Sequence, residues 1–197
     1  RPNMRFVPIK TMEQQAVLSV HRVRQGFVKA RTAQANQIRG LLTEFGLVLP
    51  QGITNVFRRV PQLIDGTADL PASMRQLIER LLENVKVLDR QVKELEAQIK
   101  AWHLGSELSR KLEKIPGIGP LTASALVASI ADARSFKNGR QVAAWLGLVP
   151  RQDSSGGKPK LLGISKRGDT YLRTLLIHGA RSAIVAAQRK DKPNVWL

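Results

Sequence analysis

The sequence predicts an all-α fold: a long helical, coiled-coil arm followed by a small helical domain that contains a helix-hairpin-helix. Three observations carry this. Ile78, Leu81, Val85, Leu88, Val92, Leu95, Ile99 and Trp102 follow one another at intervals of 3, 4, 3, 4, 3, 4 and 3 residues, an a/d heptad seam kept for more than three heptads. Hydrophobic residues make up 43% of the chain but aromatics only 5%, so the core is built from Leu, Val, Ile and Ala, which suits helices. Finally, Ile115-Pro116-Gly117-Ile118-Gly119-Pro120 joins two runs of helically spaced apolar residues.

Taken in order, residues 1–10 read as an extended lead-in, a linker from a preceding domain, because Pro2 and Pro8 oppose helix. A helix is expected from Thr11 to about Phe45. Thr11 with Gln14 makes a capping box, and Val17, Val20, Val23, Phe27, Ile38, Leu41, Leu42 and Phe45 form its apolar stripe. Gly46 ends it, and Pro50-Gln51-Gly52 is a turn. A short helix over Ile53–Ile64 and a break at Asp65–Pro71 lead to the heptad segment, 72–102. Its charges nearly balance, six basic against five acidic, so its task is to pair with another helix. That partner is either the first helix, in an antiparallel hairpin, or a second copy of the chain. Solvent-exposed Leu88 and Leu95 would refute the seam. The domain boundaries read as a linker over 1–10, an arm over 11–102 and a helical domain over 103–197.

Leu104, Leu108, Leu112 and Ile115 precede the glycine turn at helical spacing; Leu121, Ala125, Leu126 and Ile130 follow it. Pro116 ends the first helix and Pro120 fits the first turn of the second. Ser135–Gly139 is a loop and Gln141–Leu146 a short helix. Val149–Lys160 shows no hydrophobic period, and Leu161–Ile164 reads as a short extended piece. Asp169 caps a last helix that Lys192-Pro193-Asn194 ends.

The formal net charge is +17 and the pI about 11.2. Charge so one-sided points to a polyanionic partner, nucleic acid first. No apolar run approaches the ~20 residues of a membrane span, and no signal peptide is visible. A cytoplasmic, nucleoid-associated location is expected. Cysteine is absent, which excludes disulfides and thiolate metal sites. His21, His103 and His178 are too scattered for a metal site, so no metal ligand is assigned. The chain opens on Arg1 and stops at Leu197 without a capping signal; it is expected to be a piece of a longer protein.

Basic residues gather in two places. Residues 1–50 hold eight Lys/Arg against Glu13 and Glu44; Arg22, Arg24, Lys29, Arg31 and Arg39 lie opposite the apolar stripe and are candidates for RNA or DNA contact. Residues 134–173 hold nine against Asp153 and Asp169, with Ser154-Ser155-Gly156-Gly157 in their midst. Arg151, Lys158, Lys160, Lys166, Arg167 and Arg173 are candidate phosphate ligands there, as are the backbone N–H groups of Gly117 and Gly119 in the hairpin turn. A serine beside two glycines can approach a phosphate closely and attack it. Yet such a tetrapeptide is also an ordinary flexible loop.

The order of the motifs is specific. Ile115-Pro-Gly-Ile-Gly-Pro-Leu-Thr-Ala, Gln141–Pro150, Ser154-Ser-Gly-Gly-Lys, Ile164-Ser-Lys-Arg-Gly-Asp169 and Leu172-Arg-Thr-Leu-Leu176 succeed one another. This resembles the C-terminal transposase domain of the bridge-RNA-guided insertion-sequence recombinases, which are related to the Piv-type DNA invertases. Arg1–Pro50 looks like the region just after that family's RuvC-like domain. The resemblance implies a serine nucleophile, carried over to Ser155 beside Gly156 with Ser154 as fallback. It implies four acidic magnesium ligands in an N-terminal domain that this chain lacks, a structured guide RNA, double-stranded DNA as substrate, and a homo-oligomer joined through the 78–102 seam. The fragment by itself would bind but not cut. Two other readings stay open: a non-catalytic, architectural helix-hairpin-helix module with Ser155 as a loop residue only, and a protein scaffold built on the heptads.

Overall fold

A computed structural model describes residues 9–130 and 132–189. Among them the chain is mostly helical, with α1 (Met12–Glu44), α2 (Ile53–Gly66), α3 (Ala72–Gly105), α4 (Glu107–Glu113), α5 (Pro120–Ser129), a 3-10 turn (Ala133–Ser135), α6 (Gly139–Trp145), β1 (Pro150–Gln152), β2 (Leu161–Ile164) and α7 (Thr170–Gln188). The expected lead-in over 1–8 and the stop at Lys192-Pro193-Asn194 lie outside the described residues. The described residues form two compact units, 20–98 and 9–19 with 99–130 and 132–189.

In the 20–98 unit, α1 and α3 run antiparallel. Arg24 pairs with Glu96 (Nε to Oε1, 2.9 Å), Arg31 with Asp89, and Asn84 donates to Gln34 (2.8 Å), so residue numbers fall on one helix as they rise on the other. The core joins Ala35, Ile38 and Leu42 of α1 to Ile78, Leu82 and Val85 of α3. Into their open end drops α2 with Val56, Val60 and Ile64, apolar positions four residues apart on one face. Its last carbonyls, which lack intrahelical donors, are taken by the Arg75 guanidinium, on Ile64 O and on Thr67 O at 3.1 Å. Of the two partners the seam allowed, the structure supplies the one within the chain.

The seam itself is shifted. Ile78, Val85, Val92 and Ile99 are buried, whereas Leu81, Leu88, Leu95 and Trp102 are half-buried flanks. The positions that share the centre line are Leu82 and the polar Asp89 and His103. Polar groups survive there because each is paired. Burial alone would raise the Asp89 carboxyl, but hydrogen bonds from Lys93 and Arg31 outweigh it and hold its pKa below the usual range. His103 is held by Ser109 (Nδ1 to Oγ, 2.7 Å) and Glu113 (Nε2 to Oε2, 2.9 Å).

The second unit opens at the first turn of α1, where Thr11 Oγ1 accepts from Gln14 N (3.2 Å) and Gln14 Oε1 accepts from Thr11 N (3.0 Å), the capping box the sequence predicts. Ser106 Oγ accepts from Ser109 N and starts α4, so the helix expected from Leu104 is two elements. That break leaves Leu104, Leu108 and Ile115 exposed, and of the four expected apolar positions only Leu112 meets the core. The core is Ala125, Leu126, Leu146 and Leu172, flanked by Leu112, Ile118, Ile130, Val142, Leu148, Tyr171, Leu175 and Leu176. It gathers α4 to α7 and leaves the two-stranded sheet outside.

Candidate nucleic-acid interface and serine hairpin

The segment from Pro150 to Ile164, expected to be mostly irregular, is a β-hairpin. Pro150 pairs with Ile164 and Gln152 with Leu161, with one extra residue on β2 between these pairs. Pairing continues past the strands: Asp153 N donates to Lys160 O (2.9 Å) and Lys158 N to Ser155 O (3.0 Å). Gly156 (φ 57°) and Gly157 (φ 73°) are the two turn residues. Two successive positive φ angles define a type I′ turn, whose twist matches that of the flanking strands. Glycine is needed here because L side chains resist that backbone.

Register then decides which side chains share a face, since opposed residues lie together and neighbours alternate. Ser155, Lys158, Asp153 and Lys160 fall on one face, and Arg151 continues it along β1. The other face carries Ser154, Gln152 and Leu161. The two serines therefore differ. Ser154 Oγ accepts from Lys160 N (3.1 Å) and braces the hairpin. Ser155 Oγ is exposed at the tip and has no hydrogen-bond partner among the described residues. Asp153, the acid on its face, lies 3.9 Å from Lys160 Nζ.

The feet of the hairpin are fixed. Ser165 N donates to Val149 O (2.8 Å) and Lys166 N to Gly147 O (3.0 Å). Lys166 adopts φ 57°, a left-handed conformation that a non-glycine residue keeps only when its surroundings impose it. Gly147 and Gly168 allow the two feet to touch: a Cβ on Gly147 would come 2.7 Å from Arg167 N, and one on Gly168 would come 2.5 Å from the Leu146 carbonyl carbon. Arg173 sits beneath. It is buried, and its guanidinium donates to Leu146 O (3.1 Å), Gly168 O (3.4 Å) and Thr170 Oγ1 (3.3 Å). Its donors serve the fold, while Arg151, Lys158, Lys160, Lys166 and Arg167 are exposed. Asp169 accepts from Leu172 N (3.0 Å) and caps α7 as expected.

The glycine turn between α4 and α5 has two distinct glycines. Gly117 (φ 85°) faces α7, where a Cβ would lie 2.5 Å from Gly179 O. It is a packing contact between backbones. Gly119 precedes Pro120 at the start of α5, and nothing lies within 4 Å of the position a Cβ would take.

On α1 the five candidate cations also divide. Arg24 and Arg31 are paired with Glu96 and Asp89, and Arg39 donates to Asn36 Oδ1 (2.7 Å) and Gly52 O (3.0 Å). Arg22 and Lys29 are exposed. Among the described residues no group of three or more His, Asp or Glu side chains is placed to hold a metal ion. No helix among the described residues is long and apolar enough to cross a membrane.

Sequence reasoning missed the His103–Ser109–Glu113 cluster, whose members lie on two helices separated by a cap. Ser109 is fully buried, so this serine is a structural hydrogen-bond partner of His103 rather than an accessible nucleophile. It also missed the Arg173 clamp. Gly147 and Gly168, one at each foot, were the available signal for a close approach.

Comparison with known proteins shows a likeness to insertion-sequence transposases. Residues 109–194 match the model of the transposase IS116/IS110/IS902 family, a span that takes in α5, α6, the hairpin and α7. A protein of Pseudomonas aeruginosa described as a probable family 20 transposase is 50% identical over 100% of this chain and 59% of its own length. The transposase for insertion sequence element IS1111A of Coxiella burnetii is 42% identical over 100% of the chain and 55% of itself. The transposase for IS1328 of Yersinia enterocolitica is 41% identical over 92% and 54%. The chain thus spans between half and three fifths of these relatives. The hairpin with its serine tip lies inside the segment that matches the IS116/IS110/IS902 transposase family model.

Proposed function

We propose that this chain is the DNA-joining part of an insertion-sequence transposase, with Ser155 as nucleophile. One observation carries the reading: the hairpin register puts the unpartnered Ser155 hydroxyl on the same ribbon face as Lys158, Lys160 and Arg151. Attack of Ser155 Oγ on a DNA phosphorus forms an O–P bond and breaks one P–O bond of the phosphodiester. The serine proton passes to a base, and the released strand end takes up a proton as a hydroxyl. The phosphoserine link conserves the ester, so a hydroxyl of another strand reverses the step and joins there without an added energy source. The three cations offset charge that develops on the phosphoryl oxygens. The base comes from outside the hairpin face, whose carboxylate, Asp153, lies beside Lys160. The magnesium implied by the family resemblance finds no ligand set among the described residues. Lys166 and Arg167 at the feet, Gly119 at the start of α5, and Arg22 and Lys29 on α1 extend the polyanion surface toward DNA or a guide RNA. A homo-oligomer would bring the hairpins of two copies to two strands.

The test is Ser155→Ala in the full-length transposase. Strand cleavage and the covalent protein–DNA adduct should disappear while salt-dependent DNA binding persists. Recombination at the normal rate by that variant, with Ser154 intact, would refute the assignment.

A further inference from the structure

Trp145 closes α6 and its side chain remains 38% exposed. An indole left that open is held by something specific: its ring meets Phe136 edge to face, with centroids 5.6 Å apart and planes at 61°. The exposed part of the indole is aromatic surface of the kind a nucleobase stacks on. The backbone is as firmly placed as the ring. The Lys166–Gly168 turn crosses directly over the Trp145–Leu146 peptide, where a Cβ on Gly168 would collide with Trp145 O and Leu146 C. The aromatic pair therefore borders the feet of the serine hairpin.

Its surroundings select for a polyanion. Arg134, Lys137, Arg140, Lys166 and Arg167 are all exposed on the segments that carry or cross the pair. The two carboxylates of those segments are engaged, Asp132 with Arg134 (3.1 Å) and Asp169 with the α7 N-terminus. A rigid aromatic face inside a field of cations is the composition of a single-strand stacking platform: the cations follow the phosphates and the ring takes the base, whatever its sequence. Duplex DNA keeps its bases in the stack and offers no face to such a ring.

We infer that Trp145, braced by Phe136, is a stacking site for an unpaired nucleobase beside the Ser155 hairpin. The inference rests on the proposed transposase reading only in taking nucleic acid as the ligand. A strand leaving the duplex to be exchanged presents such a base, and stacking it on Trp145 would hold that strand at the feet of the hairpin that carries Ser155.

The chain itself serves for the test, titrated with an oligothymidylate of about 12 nucleotides, within the site size of single-strand binders, and with a duplex of equal length. Intrinsic tryptophan fluorescence and anisotropy are read at fixed salt. The single strand should quench the indole emission and the duplex should not. Trp145→Phe, which keeps a ring against Phe136, should lose the quench yet bind within about threefold of the unchanged chain, because a phenyl ring still stacks. Trp145→Ala should bind the single strand about tenfold more weakly, the loss of one stacked base, with duplex affinity unchanged. Unaltered single-strand affinity in Trp145→Ala, or an equal loss for single strand and duplex, overturns the inference and leaves the transposase reading standing. Failure of the unchanged chain to bind either DNA overturns both.

Discussion

Gly179 lies in the interior of α7, where intrinsic preference favours replacing it. Alanine in a helix interior is about 1 kcal/mol better than glycine, so Gly179→Ala should stabilise on propensity alone. The structure reverses the sign. A Cβ at 179 would fall on the carbonyl oxygen of Gly117 and lie 3.0 Å from its carbon. Both contacts are backbone, so no rotamer change relieves them, and the turn must retreat from the helix by more than an ångström. Gly117 has little freedom to do so, since its φ of 85° is already a glycine-only conformation. Overpacking of this kind costs about 1–3 kcal/mol, and an obstacle of rigid backbone belongs at the upper end. After the propensity gain, a net loss of about 1–2 kcal/mol remains. Gly26 and Gly40, within α1, are the controls, because nothing lies within 4 Å of a Cβ at either. Alanine there should stabilise by about 0.5–1 kcal/mol. Urea unfolding followed by circular dichroism measures each, read on the transition of the unit that holds the substitution. Gly179→Ala at or above wild-type stability would refute the argument and show that α7 does not lie against the turn.

Two further outcomes follow from buried polar groups. His21 is buried, and burial first, then the nearby Arg24 charge, lowers its pKa from 6.5 to about 4. A base with a depressed folded pKa is favoured neutral in the fold. Its contribution is therefore whole above pH 6.5 and declines as pH falls toward 4, where the unfolded chain binds a proton that the fold refuses. The loss across that window should be up to about 3 kcal/mol, and His21→Gln should flatten the stability–pH curve between pH 6.5 and 4; an unchanged slope would sink the assignment. Arg173→Met removes three hydrogen bonds at the hairpin feet and strands the buried Leu146 carbonyl, which should cost about 2–3 kcal/mol in unfolding experiments. Because its guanidinium serves the fold, the variant should keep the wild-type slope of log affinity against log salt, whereas Arg151→Gln should lower that slope by about 1.

What the sequence disclosed depends on where each feature is encoded. The capping box at Thr11–Gln14 and the Asp169 cap are written in local spacing, and they stand as read, whereas the heptad spacing left the partner of the seam open between α1 and a second copy. The split at Ser106 is local too, but the leucines on either side keep a helical interval across it, so spacing alone joined what the cap divides. The hairpin failed for another reason. Both of its faces meet solvent, so there is no alternation to see; its one local signal was Gly156-Gly157 between flanking segments that pair, a type I′ sequence. Arg173 was grouped with the phosphate ligands because charge is visible in a sequence and burial is not. Only the tertiary approach of residues 146 and 168 reveals what its guanidinium holds. The same applies to Gly117, whose proximity to Gly179 spans sixty-two residues of chain.

Charge count and usable charge part company in this protein, and that bears on how it meets a polyanion. A net charge of +17 suggests a surface basic nearly everywhere. The structure spends part of it internally: Arg24 and Arg31 on acids of α3, Arg39 and Arg75 on loop and helix-end carbonyls, Arg173 on the hairpin feet. Arginine suits that work because its planar fork satisfies two or three carbonyls at once and never deprotonates. Among the exposed cations are Arg151, Lys158, Lys160, Lys166 and Arg167, which collect on one hairpin and its feet. Counterion release responds only to charges that reach phosphates, so affinity should follow the exposed cations, this set among them, and not the total. The same buried arginine that gives up a phosphate contact fixes the feet from which five others project, and the serine at the tip inherits its position from that anchorage.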